Sequence, residues 1–263
     1  MLGANGGNMA KIIIKKGLLT LISINRPEKH NALDSETLGL LSSAIIEASS
    51  DKMCKAIIIS GAGGKAFSAG ADVNYLSEIS SARDAEDAFD TFYSTYKCIW
   101  DSPKPVIAAI NGYCLGGGNE LAMACDFRIA TPESTFGQPE VKLGIVPGGG
   151  ATYRLATLVG LQKAREIIFT GNTINAKEAL SLGLIDSIIS SEHLMEEAEK
   201  LCNAMASESG KAIGSAKRAI NYGIGYDQSE EKKSFIECFI SGDAKEGVSA
   251  FIEHRKPNFN DVV

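Results

Sequence analysis

Residues 111–126 read NGYCLGGGNELAMACD, in which three consecutive glycines are followed by Asn119 and then by a carboxylate, Glu120. Glycine has no Cβ atom, so its backbone N–H groups can approach a ligand closely. The apolar pattern that follows predicts a helix, whose first turn carries unpaired N–H donors and the positive end of the helix dipole. Such a loop can stabilise negative charge that develops on an oxygen atom. Tight packing of a helix against a strand would explain the glycines equally well.

A second carboxylate, Glu140, lies in the Gly/Pro-rich stretch STFGQPEVKLGIVPGGG at 134–150. Carboxylates with apolar neighbours tend to have shifted pKa values and to act as general acids or bases. Another loop of small residues, AFSAGAD at 66–72, follows a strand pattern and could offer a second N–H group to the same oxygen. These features together indicate proton transfer beside a carbonyl group. The spacing of the two glutamates does not by itself bring them together, and a surface contact with the helix dipole is the alternative role for Glu120.

Other kinds of site are disfavoured by their missing residues. The GGK at 63–65 is followed by Ala66, where a phosphate-binding P-loop requires Ser or Thr, and Leu121 stands where GxGxxG requires its last glycine. There is no GxSxG motif for a serine nucleophile. The histidines are far apart and form no HExxH or Cys/His cluster: His30, His193 and His254. The sequence therefore predicts no metal site and no dinucleotide cofactor.

Composition limits the partners and the compartment. The chain has 263 residues and a net charge of -6, which argues against nucleic acid as the main partner. Its six cysteines form no CxxC pair and sit mostly among apolar residues, as is typical of reduced thiols in a cytoplasmic protein. No segment approaches the ~18 apolar residues of a membrane span, and no signal-peptide pattern is present. We therefore expect a cytoplasmic protein with no membrane partner.

The elements that must position these loops alternate along the chain. Buried-strand patterns occur at 18–24, 55–60 and 105–110. Helical periodicity occupies the stretches between them, beginning near Asp34 or Ser35 and again over 84–100. Strand–helix alternation predicts right-handed crossovers and a largely parallel sheet. From about residue 191 three amphipathic stretches predict helices, so we divide the chain into an α/β core, 9–190, and a helical C-terminal region, 191–263.

One predicted helix carries an apolar stripe. Its members recur at helical spacing over 84–100: Phe89, Phe92, Tyr96 and Ile99. A stripe of this kind is typical of a face packed on the core rather than of a cofactor site.

Five segments resemble the enoyl-CoA hydratase/isomerase (crotonase) family. They occur in order over about residues 11–260 and read RPEKHNAL, AFSAGAD, KPVIAAINGYCLGGGNELAMACD, FGQPEVKLGIVPGGGATYRL and AFIEHRKPNF. The resemblance implies an α/β fold, a crotonase-like spiral of ββα turns with a helical C-terminal trimerisation region. It also implies a homotrimer, or a homohexamer made of two trimers.

The resemblance implies a reaction as well. The substrate would be an acyl thioester of coenzyme A, with its thioester oxygen held by the N–H groups of Ala71 and Gly117. Glu120 would activate the water that attacks C3, and Glu140 would deliver the proton to C2. The reaction would be reversible hydration of a trans-2-enoyl-CoA to a 3-hydroxyacyl-CoA. No metal or redox cofactor is implied, since the oxyanion hole supplies the electrophile and CoA is part of the substrate.

Further substrate-binding positions follow from the same resemblance: Lys29, Ala69, Asp72, Val73, Leu115, Gly116 and Lys256. Two departures concern CoA binding more than the chemistry. Asn74 replaces a lysine that many hydratases place near the CoA phosphates, and His254 stands where a lysine is common. Lys29 and Lys256 could take over the phosphate contact, with solvated surface charge as the alternative for both.

Two other functions stay open from the sequence. The first is an enoyl-CoA isomerase or another enolate-forming acyl-CoA enzyme of the same fold. Isomerases typically keep only the carboxylate at position 140, so Glu120 favours a hydratase. The second is a catalytically idle oligomeric or RNA-binding member, which the intact carboxylates, the glycine loop and the acidic net charge disfavour.

Overall fold

The chain folds around two sheets. A computed structural model describes residues 10–223, 232, 235–236, 239–240 and 242–258. The strands, in chain order, are β1 Ile12–Lys15, β2 Leu19–Ile24, β3 Ala56–Gly61, β4 Ala66–Ser68, β5 Val106–Ile110, β6 Tyr113–Leu115, β7 Phe127–Ala130, β8 Thr135–Gly137, β9 Thr173–Asn175 and β10 Ser187–Ile188.

The helices connect these strands and extend beyond them. They are α1 Ser35–Ser50, α2 Val73–Ser77, α3 Ala82–Asp101, α4 Gly117–Ala124, α5 Ala151–Val159, α6 Leu161–Thr170, α7 Ala176–Ser181, α8 Leu194–Ala206, α9 Gly210–Gly223 and α10 Asp243–Ile252, with short 3₁₀ helices at Pro27–Lys29 and Pro139–Leu143. No helix in the described part of the chain combines the length and the hydropathy that crossing a bilayer requires.

The larger sheet is mostly parallel, as predicted. Its six strands run in the order β1–β2–β3–β5–β7–β10, and each pair from β2 onward is parallel. Strand β1 pairs antiparallel with β2, which the strand–helix alternation did not predict. Only three residues, 16–18, separate these strands, and a connection that short permits a hairpin but no parallel crossover.

A second sheet of four strands accounts for the spiral. Its order is β4–β6–β8–β9, with β4, β6 and β8 parallel. Each of these three strands follows a strand of the larger sheet, so every turn of the chain adds one strand to each sheet before the next helix. This is the ββα spiral that the resemblance implied. Because β4 and β6 are parallel neighbours, the loops at their carboxyl ends emerge at the same edge.

The larger sheet is covered on both faces, which explains its continuous apolar strands. Ile57 and Ile59 of β3 face the main core, which includes side chains of α1, α3 and α4. Ile58 faces the opposite side and packs with Leu194 and Ala198 of α8. Helix α8 therefore completes the core of the sheet. The division at 190/191 stays a prediction.

Local sequence signals set the ends and faces of the two long helices. The Asp34 carboxylate accepts a hydrogen bond from the Thr37 N–H at 2.8 Å, so Asp34 is the N-cap of α1. The predicted stripe of α3 is buried along its whole length. Of the C-terminal region, α8 and α9 match two of the three predicted helices, and the third, near 229–242, lies mostly outside the described residues.

Candidate active site

Two backbone N–H groups meet where β4 and β6 end. Leu33 and Ala71 form a parallel β-bridge, in which the Leu33 N–H donates to the Gly70 carbonyl and the Asp72 N–H donates to the Leu33 carbonyl. The Ala71 N–H therefore points away from Leu33. Gly117 is the first residue of α4, so its N–H has no partner within the helix. An ideal Cβ atom on Gly117 would lie 3.6 Å from the Ala71 nitrogen. Within the described residues neither N–H donates a backbone hydrogen bond, and the pair can hold one oxygen atom.

Glycines make this close approach feasible. Gly70 has φ +100°, and a Cβ atom there would lie 2.9 Å from the Leu115 carbonyl oxygen and 3.3 Å from the Gly117 nitrogen. Gly116 has φ +50°, a left-handed backbone that residues with a Cβ rarely adopt. Substitution of Gly70 would push the two loops apart, and substitution of Gly116 would push its loop against Glu140. The glycines therefore serve loop packing and N–H exposure together.

Glu120 lies one turn into α4 and is buried, with 3% of its surface exposed. Its Oε1 atom accepts hydrogen bonds from the N–H groups of Gly149 at 2.8 Å and Ala151 at 3.0 Å. Within the described residues its Oε2 atom accepts none. One oxygen is thus fixed by the protein, and the other remains for a water molecule or a substrate.

Burial raises the pKa of Glu120 to about 7. The hydrogen bonds from Ala151 and Gly149, and the positive charge of Arg154, act in the opposite direction and limit the rise. A carboxyl group with a pKa near 7 can both take and give a proton at neutral pH. This is the electrostatic property that a general base beside an oxyanion site needs.

Glu140 is the second buried carboxyl group, in the 3₁₀ helix Pro139–Leu143. An ideal Cβ atom on Gly116 would lie 2.8 Å from its Oε1 atom, so Glu140 packs directly against the residue that precedes Gly117. The Gln138 side chain, with its amide nitrogen turned toward Glu140, donates to both carboxylate oxygens at 3.1 Å. The Glu120 N–H donates to the Gly116 carbonyl at 3.0 Å. The carboxyl group of Glu140 and the backbone of Glu120 therefore both adjoin Gly116.

The C-terminal region of the same chain covers this part of the site. Ala244 and Val248 of α10 pack with Leu76 of α2 and with Ile145, which follows the 3₁₀ helix of Glu140. A Cβ atom on Gly247 would lie 2.1 Å from the Leu143 carbonyl oxygen, so α10 contacts that helix closely. Helix α10 therefore packs against the segment that carries Glu140.

The predicted substrate residue Asp72 has internal partners. Its carboxylate accepts hydrogen bonds from Arg26 at 2.7 Å and Lys29 at 3.0 Å, and it caps α2 through the Asn74 N–H. Burial would raise the pKa of Asp72, but the bonds from Lys29 and Arg26 prevail and lower it. The carboxylate thus fixes the loop that presents the Ala71 N–H. The Lys29 side chain is 42% exposed, and its contact with a substrate phosphate stays a prediction.

The other predicted substrate residues divide into two groups. Those at the ends of β4 and β6 border the paired N–H groups: Ala69, Val73, Leu115 and Gly116. Lys256 is exposed beyond α10, and its side chain forms no ion pair or hydrogen bond within the described residues. A contact of Lys256 with substrate stays a prediction, as does every assigned role at this site.

Four residues of the site were not singled out as functional by the sequence: Tyr96, Gln138, Gly149 and Arg154. Gln138 and Gly149 stand in the loop quoted for Glu140, so the GGG run was a usable signal for tight backbone packing. Tyr96 was assigned to the core stripe, which is where it lies, but its hydroxyl also reaches α4. Arg154 gave no sequence signal.

A cavity of about 1050 Å³ lies elsewhere, between the C-terminal ends of α1 and α3 and helix α9. Neither catalytic candidate lines it, and none of the predicted substrate residues does. Its size therefore has no bearing on the chemistry at Glu120 and Glu140. No group of three or more potential metal ligands occurs among the residues that the structure describes.

This fold, an α/β spiral of ββα turns, is the one expected of the enoyl-CoA hydratase/isomerase family. The family model described as "Enoyl-CoA hydratase/isomerase" matches residues 14–262, and the chain belongs to this family. It is 41% identical over 252 residues to the crotonyl-CoA hydratase of Syntrophomonas wolfei, covering 94% of this chain and 96% of that one. It is also 41% identical to the short-chain-enoyl-CoA hydratase of Clostridium acetobutylicum, covering 93% and 95%. A crystal structure of an enoyl-CoA hydratase from Bacillus anthracis superposes with a TM-score of 0.78 at 36% identity, covering 95% and 99%.

Proposed function

We propose that this protein is an enoyl-CoA hydratase that adds water reversibly to a trans-2-enoyl-CoA and forms a 3-hydroxyacyl-CoA. The observation that carries the proposal is the pair of buried glutamates beside two converging N–H groups. Relatives at 41% identity, described as a crotonyl-CoA hydratase and a short-chain-enoyl-CoA hydratase, support it. Their descriptions favour a short acyl chain.

The N–H groups of Ala71 and Gly117 would receive the thioester oxygen. Attack at C3 moves electrons toward that oxygen, and the resulting enolate carries negative charge where the two donors and the start of α4 are fixed. Losing one such donor typically costs ~3–4 kcal/mol in the transition state. The two N–H donors are already in place before the reaction, so this oxyanion hole can act as the electrophile without a metal.

The two glutamates would divide the proton transfers. Ionised Glu120 takes a proton from the water as its oxygen bonds to C3, and protonated Glu140 gives a proton to C2. After the reaction Glu120 is protonated and Glu140 is ionised, and proton exchange with solvent restores both groups. The hydrogen bonds from Gly149 and Ala151 hold Oε1 of Glu120, which leaves Oε2 for the water.

Partners and setting follow from the same proposal. The substrate is an acyl-CoA thioester, with Lys29 and Lys256 as candidate contacts for its phosphates. We propose that no metal or redox cofactor takes part, that nucleic acid and membranes are not partners, and that the enzyme is cytoplasmic. We also propose a homotrimer or a dimer of trimers, in keeping with the resemblance to the family.

Isomerisation of the double bond is the second candidate. It requires one base and the same oxyanion hole, and Glu140 with Gln138 could provide that base. Glu120 has no obvious part in it, yet two backbone N–H groups are committed to positioning Glu120. Hydration accounts for both carboxylates and is therefore preferred.

A turnover assay with crotonyl-CoA tests the proposal directly. Hydration removes the conjugated thioester absorbance, whereas a 3-enoyl-CoA offered to an isomerase gains it. We expect loss of absorbance with crotonyl-CoA and none with the double variant Glu120→Gln/Glu140→Gln. A wild-type protein that leaves crotonyl-CoA unchanged but converts a 3-enoyl-CoA would refute hydration and support the isomerase.

A further inference from the structure

Tyr96 of α3 links the two halves of the site. Its side chain is buried, with 1% of its surface exposed. The hydroxyl donates a hydrogen bond to the Gly117 carbonyl oxygen at 2.7 Å. The other edge of the ring faces the loop that holds Glu120, since a Cβ atom on Gly149 would lie 2.3 Å from Tyr96 Cε2. One side chain thus contacts the oxyanion glycine and the glycine that binds the base.

Gly117 needs support from outside its own residue. It follows Gly116, whose φ is +50°, and it begins a helix whose N-cap makes no side-chain hydrogen bond. Glycine is the residue with the widest backbone freedom, and the peptide unit that carries the Gly117 N–H is held by the Glu120 N–H, which donates to the Gly116 carbonyl at 3.0 Å. A hydrogen bond on the Gly117 carbonyl fixes the following peptide unit, so both units that flank the Gly117 Cα atom are held. Tyr96 provides that bond from a separate, long helix.

The chemistry of Tyr96 suits a fixed donor. A phenol has one O–H, and here that proton is directed at the Gly117 carbonyl rather than at a reacting atom. Burial, followed by the nearby charges of Glu120 and Glu140, raises the pKa of Tyr96 well above its ordinary value. The hydroxyl therefore remains protonated wherever the enzyme works.

We propose that Tyr96 is a positioning residue that aims the Gly117 N–H at the thioester oxygen and holds the Gly149 loop against Glu120. This inference rests on the proposed function. It adds a third element to the site, helix α3, whose Tyr96 side chain would touch neither the substrate nor the reacting atoms. Its removal should weaken polarisation of the thioester while substrate binding persists.

The test is Tyr96→Phe, which removes a single oxygen atom and keeps the ring. We expect kcat for crotonyl-CoA to fall roughly tenfold, less than for direct loss of an oxyanion donor, with KM changed less than twofold. A second readout is the absorbance of a bound conjugated dienoyl-CoA, which shifts to longer wavelength when its carbonyl is polarised. That red shift should shrink in Tyr96→Phe. The matched control is Tyr113→Phe, which removes the exposed hydroxyl of a tyrosine on β6 and should keep both values.

Several outcomes would overturn the proposal. A folded Tyr96→Phe with wild-type kcat and an unchanged red shift refutes it while the proposed function stands. If Tyr96→Phe does not fold, 3-fluorotyrosine at position 96 offers a stronger donor of nearly the same size. We then expect a red shift as large as that of the wild type or larger, and a smaller one contradicts the role. If the wild type neither hydrates crotonyl-CoA nor shifts the dienoyl absorbance, the proposed function fails, and this inference fails with it.

Discussion

The Gly149 N–H donates a hydrogen bond to Glu120 Oε1 at 2.8 Å, across 29 residues of chain. This contact joins the loop after the second carboxylate, Glu140, to the helix that carries the first. It fixes one oxygen of Glu120 and leaves the other without a hydrogen bond from the described residues. The orientation of the Glu120 carboxyl group thus depends on the backbone of a distant glycine.

We predict that Gly149→Ala inactivates the enzyme. The added Cβ atom would lie 2.3 Å from Tyr96 Cε2 and 2.7 Å from Glu120 Oε2, so the carboxylate or the loop must move. A displacement of about 1 Å at a reacting group can cost ~10²-fold in rate. Steady-state hydration of crotonyl-CoA measures the loss.

Gly39→Ala is the matched control for that variant. Gly39 lies within α1, and a Cβ atom there would meet nothing within 4 Å. Replacing a helical glycine by alanine should stabilise the protein by about 1 kcal/mol and leave turnover unchanged. Wild-type kcat in Gly149→Ala would contradict the proposed geometry.

We predict that Glu120 destabilises the fold at and above neutral pH. Its pKa rises from an ordinary 4.5 to about 7 on folding, because burial penalises the charged form. Between these values the folded state binds more protons than the unfolded state, so this contribution to stability falls as pH rises through that window. The full loss is on the order of 3 kcal/mol at pH 8, at about 1.4 kcal/mol per pKa unit.

Urea unfolding of wild type and Glu120→Gln from pH 4.5 to 8.5 measures this effect. The neutral amide does not titrate, so the difference in unfolding free energy should move in favour of Glu120→Gln as pH rises. Glu133→Gln, an exposed change in the loop between β7 and β8, should show no such trend. A difference that stays constant with pH, or moves toward wild type, would be inconsistent with a raised pKa.

We predict that Arg154→Met shifts the acid limb of the kcat profile to higher pH. Arg154 is buried over the Trp100 ring, 4.3 Å from its centroid, and its positive charge lowers the pKa of Glu120. Without that charge the base stays protonated to higher pH, so less of it is active at pH 7. Profiles of kcat against pH from 5.5 to 9 measure the shift.

Arg165→Met, on the exposed face of α6, controls for loss of a positive charge from the surface. Arg165→Met should leave the acid limb of the kcat profile at the same pH as in the wild type. A profile for Arg154→Met that is unshifted, or shifted toward acid, would show that the charge of Arg154 does not lower the pKa of Glu120.

We predict that neutralising Glu120 and neutralising Glu140 have different effects on hydration and on proton exchange at C2. Glu120→Gln should lose hydration by at least the ~10²–10⁴ expected for one acid–base group but retain exchange at C2 of a saturated acyl-CoA. Glu140→Gln should lose hydration and exchange together. The double variant should lose far less than the product of the single losses, since both groups act on one water.

Deuterium incorporation at C2, measured beside the hydration rate, separates the two roles. Gln at either position keeps the size of the side chain, so both variants serve as each other's control for packing. Exchange lost in Glu120→Gln and kept in Glu140→Gln would mean that the assigned roles are reversed.

We also predict that turnover survives exhaustive treatment with EDTA, because backbone N–H groups, rather than a metal, would polarise the thioester. Activity with crotonyl-CoA before and after treatment gives the answer. Loss of activity that added divalent metal restores would overturn this view of the electrophile.

Much of the fold was decided by short-range patterns. The cap at Asp34, the apolar strand at 56–61 and the stripe on α3 each depend on residues within a few turns or positions of one another. Side-chain periodicity and capping are local properties, so the sequence predicted them. The glycine run before Glu120 was likewise readable, because unobstructed N–H groups at a helix start follow from residue type alone.

Contacts between distant segments were decided only by the tertiary structure. The hydrogen bonds from Gly149 to Glu120 and from Tyr96 to Gly117 join loops and helices that no local pattern relates. The pairing of Asp72 with Arg26, 46 residues apart, braces the loop that carries Ala71, and a substrate contact of Asp72 stays a prediction. The pKa of Glu120 depends on burial beneath neighbouring elements, a property that a residue acquires only when the sheets and helices pack. The sequence therefore determined which groups could do chemistry, and the packing of two sheets decided which of them meet.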